Sequence, residues 1–340
     1  MDEHDKKINL LFDYWLKITL ILVFSTIVIG GLTRLTDSGL SITKWELVSG
    51  IFPPLNETAW INYFELYKQI PQFKLLNPDM SLSEFKIIFY WEYGHRIIAR
   101  VIGLFFLIPL IYFHFSKKIE RDYLIPCYVI LFLILTQGAI GWYMVKSGLV
   151  NNVSVSHYRL SLHLVMALLI ISSIFWLILN RLKKTSRKFF TFSFNNTPYL
   201  ILVFLIFFQI ILGAFVSGLD AGKIYQTWPL MGQSLFPNDL DLEKLVNFFD
   251  FNNHSLVQLY HRNMAYIISI YIICLSIIIY FKNKKNASSI YLINFFLLLQ
   301  IFLGIITLVS GLNIYLASAH QITSVLLVFT SINLYYNYIK

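Results

Sequence analysis

The stretch Trp91-Glu92-Tyr93-Gly94-His95-Arg96 opens a long apolar run. It places a carboxylate and an imidazole three residues apart, on one face of a helix. Ionisable or ligating groups inside a membrane are rare and mark functional sites. A second stretch, Gln258-Leu259-Tyr260-His261-Arg262, repeats the pattern with Gln in place of Glu, and two further apolar runs carry His163 and His320. The chain thus offers four histidines in two matched pairs, and a carboxylate in only one half. Two imidazoles facing each other across a four-helix bundle form a haem clamp. The 30 Phe, 21 Tyr and 7 Trp can wall it. Arg96, Arg100 and Arg262 stand where cations would meet propionates near the water interface. Zinc or copper is the weaker alternative, since two histidines per half without Cys or Asp at ligand spacing underfill such a site. His114, His157 and His254 have no counterpart in the other half and read as non-ligands.

Glu92 lies one turn before His95, so its carboxylate can reach the edge of a haem held there. An i,i+4 ion pair with Arg96 is the purely structural reading. Gln258 fills the same place beside a retained Arg262, however, so pairing with arginine alone does not explain the acid. One half is expected to do proton or charge chemistry beside its haem, while the other holds one.

These residues need a membrane scaffold. The 340 residues are 57% hydrophobic and only 13% charged, with a mean hydropathy of +0.65; a soluble domain is about one quarter charged. The first apolar run lacks a small-residue cleavage site and reads as a span rather than a signal peptide. Eight runs are long enough to cross a bilayer, at 16–34, 87–113, 123–145, 158–180, 198–218, 255–281, 289–310 and 315–337. Cys127 and Cys274 fall inside such runs and read as core residues. Alternate loops and the two termini are short and basic and, counting Lys17, hold 15 of the 27 Lys and Arg. Positive-inside logic puts them, and both termini, in the cytoplasm. The net charge of +9 follows from this topology and does not call for nucleic acid. The opposite loops, 35–86 and 219–254, are acidic and each long enough for an amphipathic surface helix. Trp60, Phe64, Tyr67 and Ile70 follow helical spacing in the first.

The halves form an internal repeat. Gly30, Asp37, Gly39 and Trp45 match Gly213, Asp220, Gly222 and Trp228 at a constant offset of 183. His95-Arg96 matches His261-Arg262 at 166; Gln137, Gly141 and Ser147-Gly148-Leu149 match Gln300, Gly304 and Ser310-Gly311-Leu312 at 163; His163 matches His320 at 157. Four spans per repeat make both run the same way through the membrane. The expected fold is all-α and integral to the membrane: eight transmembrane helices as two tandem pseudo-symmetric four-helix bundles, 1–190 and 191–340. Gly30-Gly31 and Gly213 should permit close helix packing. Gln137 and Gln300 should hydrogen-bond between helices. Asp37 and Asp220 should shape turns, and Arg34 and Lys44 are minor candidates for steering propionates.

Together the motifs resemble the haem A synthase family. The resemblance rests on Gly30-Gly31-Leu32-Thr33-Arg34-Leu35-Thr36-Asp37-Ser38-Gly39-Leu40-Ser41, on Trp91-Glu92-Tyr93-Gly94-His95-Arg96 and on Gln137-Gly138-Ala139-Ile140-Gly141-Trp142. The second half adds Ala221-Gly222, Thr227-Trp228-Pro229-Leu230-Met231, His261-Arg262 and His320-Gln321. The long first outer loop is similar to that of mitochondrial members and their bacterial relatives, and the outer-loop cysteine pair of some other members is absent. The resemblance implies oxidation of a ring methyl of haem O to a formyl group by two successive hydroxylations, giving haem A for cytochrome oxidase. By motif, His95 and His163 would flank the substrate haem, Glu92 would serve the methyl, and His261 and His320 would ligate a haem b cofactor. The bilayer, haem O synthase, an electron-transfer partner and a second copy of the chain are the implied partners, and the implied setting is the bacterial cytoplasmic or mitochondrial inner membrane. Two competing readings remain: a diheme b-type electron-transfer cytochrome, and a haem carrier without chemistry.

Overall fold

In hydrocarbon every backbone N–H and C=O must be satisfied within its own segment, which leaves so apolar a chain little but helices. The computed structural model describes residues 3–45, 49–151, 153–240, 248–282 and 287–338. Among these it is all-helical apart from loops, 3₁₀ turns and an isolated bridge between Met231 and Ser234. Among the described residues, eight helices are long and apolar enough to cross a membrane. The chain divides into two compact units, Met1–Ser186 and Arg187–Lys340.

The first unit contains α1 (Glu3–Leu35), the short α2 (Glu57–Lys68) and α3 (Pro71–Leu76), then α4 (Leu82–Ser116), α5 (Arg121–Asn151) and α6 (His157–Lys183). α1 and α5 each pack against both α4 and α6, so α4 and α6 occupy opposite corners of the bundle. The second unit contains α7 (Thr197–Gly218), α8 (His254–Lys282), α9 (Ala287–Val309) and α10 (Ile314–Tyr338). Here α7 and α9 each contact α8 and α10, which take the opposite corners.

Helix α1 starts thirteen residues before the span expected at 16–34. Its opening turns are amphipathic: Ile8, Phe12 and Trp15 are buried on one face. The rings of Phe12 and Trp15 meet Phe106 and Phe113 of α4. Arg181 of α6 lies over the Phe12 ring and donates to Asp13 and Asn9. Charged neighbours hide that narrow apolar face from a hydropathy average. Helix α4 also starts early, at a capping box in which Ser81 and Glu84 satisfy each other's backbone N–H groups.

The amphipathic helix expected near residue 60 forms as α2, capped by Asn56. Its apolar face is buried within the protein rather than laid on a lipid surface. Trp60, Phe64, Tyr67 and Ile70 join Leu40, Ile42, Phe85 and Phe89 in one cluster, against which Val145, Leu149 and Val155 pack. Tyr67 donates to Gln72, Asn77 donates to Tyr67, and the Gln72 amide reaches the Asp37 carbonyl. In the second long loop the described residues form a 3₁₀ turn and the isolated bridge but no longer helix; residues 241–247 lie outside the described residues. Cys127 is buried as expected, but Cys274 is exposed. The buried face of α8 runs through Ile268, Ile272, Leu275 and Ile279, and Cys274 points away from it. In a spanning helix the outward face is as apolar as the inward one, so hydropathy did not tell them apart.

Candidate functional site

His95 on α4 and His163 on α6 project from opposite corners into the first bundle, with ring centroids 6.4 Å apart. An imidazole nitrogen sits about 2 Å from a metal ion that it ligates, which puts the rings of a bis-imidazole pair about 6 Å apart. Each ring rests edge-on against a glycine of the neighbouring helix. A Cβ built on Gly30 of α1 would stand 2.8 Å from His95 Cε1, and one on Gly141 of α5 would stand 3.0 Å from His163 Cε1. The second unit repeats the arrangement: Gly213 of α7 cradles His261 of α8 at 3.0 Å, and Gly304 of α9 cradles His320 of α10 at 2.9 Å. The glycines expected to allow close packing therefore admit an imidazole, not merely a neighbouring backbone.

Glutamines one turn before three of these glycines hold the histidines from the side. The Gln137 amide donates to the His163 carbonyl at 3.1 Å and stands 3.3 Å from its Nε2. Gln300 stands 3.3 Å from His320 Nε2. Gln209 donates to the His261 carbonyl at 2.9 Å. Gln209 escaped the sequence analysis, because its counterpart at the 183 offset is Thr26 and the halves no longer match there. The shared Gln-x-x-x-Gly spacing was the signal that could have found it.

Glu92 is 3% exposed and forms the ion pair with Arg96, at 2.5 Å. Its other oxygen accepts from the Ser41 hydroxyl at 2.7 Å and from the Ile42 N–H at 2.8 Å. Arg96 also donates to the Ile42 carbonyl and lies over the Trp45 ring. Glu92 and Arg96 thus fasten the loop after α1 to α4. The second unit does the same with different chemistry. Gln258 donates to the Tyr225 carbonyl at 2.8 Å, and Tyr225 is the counterpart of Ile42. Arg262 donates to the carbonyls of Thr227, Pro229 and Leu230 at 3.1, 2.6 and 3.3 Å. A carboxylate takes the N–H of one loop where an amide gives to the C=O of the other. Part of the Glu-to-Gln asymmetry therefore has a structural cause.

Of the remaining candidates, Arg100 shares a small hollow with Lys44, Tyr93 and Arg96. Arg34 pairs with Asp37, whose φ of 51° makes the turn. Asp220 has the same left-handed backbone, at 54°. His114 bonds Tyr128 at 2.7 Å, the His157 ring lies tilted against Tyr158, and His254 begins α8. None of these three joins the paired histidines. In the second unit's loop, Asp239 accepts from Tyr225 and from Ser255 at 2.7 Å. Burial alone would raise this carboxyl, but the two hydrogen bonds outweigh it and hold its pKa below 3.8.

The donor set fits haem. The two imidazoles of the first unit face each other at bis-ligand spacing, and a glycine lies behind each of the four rings. Nδ1 of all four is buried with no hydrogen-bond partner. Among the described residues no group of three or more His, Cys, Asp or Glu is clustered as a closed zinc site would need. Residues 13–332 match the model of the COX15-CtaA family, described as cytochrome oxidase assembly protein. A heme A synthase of Pelagibacter ubique is 50% identical over 321 residues, covering 92% of this chain and 93% of that protein. Heme A synthases of Rhizobium rhizogenes and Rickettsia bellii are 41% and 40% identical over 312 and 320 residues. Those alignments cover 90% and 92% of this chain, and 84% and 94% of the relatives.

Proposed function

The chain belongs to the COX15-CtaA family of cytochrome oxidase assembly proteins, and from that premise we propose that it is a haem A synthase, oxidising a ring methyl of haem O to a formyl group. Two hydroxylations carry the methyl to an alcohol and then to a geminal diol, which loses water. Each withdraws two electrons from the methyl carbon. The observation that carries the reading is the coexistence of two cradled imidazole pairs with a buried carboxylate beside only one of them.

In this reading His95 and His163 hold the substrate haem between α4 and α6. His261 and His320 would hold a haem b, which supplies one-electron redox chemistry when bound. Glu92 lies one turn from His95, and three donors converge on its two oxygens. So fixed, it serves better as a stationary negative charge beside an electron-poor methyl carbon than as a freely moving base. Arg96 orients Glu92, and Arg100 and Arg262 add positive charge for propionates. The protein would be a multi-pass component of the bacterial cytoplasmic membrane, with both termini in the cytoplasm, taking its substrate from haem O synthase and exchanging electrons with a redox partner.

The test is Glu92→Gln in cells that supply haem O. The expected protein keeps haem O and yields little or no haem A on extraction and chromatography. A near-normal yield of haem A refutes the role of Glu92. Wild-type protein that binds two haem b and never haem O refutes the synthase reading and favours the electron-transfer cytochrome.

A further inference from the structure

In each unit one seam between helices is sparser than the other three: α4 with α5 in the first, α8 with α9 in the second. What spans the two seams differs. In the second unit Asn294 of α9 donates to the Ser276 hydroxyl of α8 at 2.7 Å, a polar bridge of the kind that joins helices in lipid. At the repeat offsets of 166 and 163, Ser276 and Asn294 answer to Leu110 and Leu131. In the first unit these two leucines, with Leu107 and Ile111, line a hollow of about 130 Å³. A cavity near that size with aliphatic and aromatic walls stays dry and takes a benzene-sized guest. The polar groups in the lining, His114 and Tyr128, bond each other at 2.7 Å and close the floor, about one turn further from the imidazoles. Above the hollow, one turn before Leu107, a Cβ built on Gly103 would meet nothing within 4 Å; the second unit carries Ser269 there.

We propose that the α4–α5 seam is a slot for the isoprenoid chain of the substrate haem, running from beside Gly103 to the hollow between Leu110 and Leu131. The inference rests on the reading of the first unit's haem as haem O, which carries a hydroxyethylfarnesyl chain that haem b lacks. That chain leaves the ring on the side away from the propionates. With the propionates toward Arg96 and Arg100, it heads down α4. Gly103 lies about 12 Å and Leu107 about 18 Å along the helix from His95, within reach of three extended isoprene units and the half-width of the ring. Leu107 and Ile111 are 37% and 47% exposed, so the slot opens sideways and a chain can enter it from lipid. Leaving lipid gains nothing from the exclusion of water; the slot contributes packing against a matched wall. It also fixes which way round the ring sits, with cations at one edge and the chain at the other. The second unit, whose seam is bridged by Asn294 and Ser276, suits a haem without a chain.

The test uses the full chain in lipid nanodiscs, offered haem O and protohaem in competition, with the retained haems extracted and separated by chromatography. Wild type should retain haem O in preference to protohaem at one site per chain. Leu110→Ser combined with Leu131→Asn copies the bridge of the second unit into the first. It should cut that preference about fivefold, the factor that corresponds to about one kilocalorie of lost packing, while total haem and the low-spin spectrum stay unchanged. Wild type without a preference, or a double variant with the wild-type preference, overturns the proposal. Should the double variant fail to fold, Leu107→Trp, which fills the hollow from its exposed side, decides alone, and an unchanged preference overturns it. Haem O that is retained in preference but never oxidised in cells supports the slot and refutes the synthase reading, so the two fail separately.

Discussion

Replacing Gly304 with alanine sets two physical effects against each other. In a helix interior, Gly→Ala stabilises by about 1 kcal/mol, because alanine loses less backbone entropy on folding. At position 304 the new Cβ would stand 2.9 Å from His320 Cε1, where ordinary contact begins at 3.4 Å. The ring must retreat by the difference, 0.5 Å, away from α9. Gln300 lies 3.3 Å from Nε2 of the same ring, so the retreat strains that contact as well. Overpacking of this kind costs about 1–3 kcal/mol. Set against the helix gain, the net penalty is about 0–2 kcal/mol, a loss of up to about thirtyfold in haem affinity. The control is Gly138→Ala in α5, where a Cβ meets nothing within 4 Å. The assay is the molar ratio of haem to protein after purification, with the optical spectrum and a thermal melt. Gly304→Ala should lose haem or its low-spin spectrum while remaining helical, and Gly138→Ala should keep both and melt no lower. If Gly304→Ala retains haem and spectrum as Gly138→Ala does, the cradle is not a ligand-positioning device.

The loop of the second unit offers two further expectations. Asp239 is held below its ordinary pKa by Tyr225 and Ser255, so its anchoring is present above pH 3.8 and is lost as pH falls through the lower folded value. Limited proteolysis of the 225–240 segment should therefore accelerate on acidification in wild type, whereas Asp239→Asn should be faster at neutral pH and change little; identical profiles would argue against the anchor. Arg262→Lys keeps the charge but loses the planar fork that reaches three carbonyls. Cleavage near Thr227–Leu230 should rise severalfold while haem is retained, because Lys keeps the positive charge; an unchanged cleavage rate would argue against Arg262 as the loop's anchor.

How much of this was legible in the sequence depends on what each position has to satisfy. The four histidines stood out because the repeat holds them at matched places, and each ring lies against a glycine of the neighbouring helix. The eight spans were readable because hydrocarbon tolerates little else. The ends of α1 and α4 were not, since a helix that leaves a bilayer continues wherever protein covers one side of it, as Phe113 and Arg181 cover Phe12. Cys274 was misplaced because inward and lipid-facing surfaces have the same polarity. Gly30 and Gly213 were recognised as packing residues, but the object packed, an imidazole edge, depends on a partner 65 and 48 residues further along the chain. The second role of Glu92, holding Ile42 and Ser41, was hidden for the same reason.

The aromatic cluster of α2 and the start of α4 gives the first unit two solvents. Association of the spans in hydrocarbon draws nothing from the exclusion of water, since lipid tails are as apolar as leucine. The cluster around Trp60, Phe64, Tyr67, Phe85 and Phe89 is assembled by the opposite rule, like the core of a small water-soluble domain. Urea and cooling weaken that drive and leave van der Waals packing among the spans largely intact. The part of the protein nearest Glu92 should therefore loosen first, on a melting curve of its own, while the bundle beneath it still holds its shape.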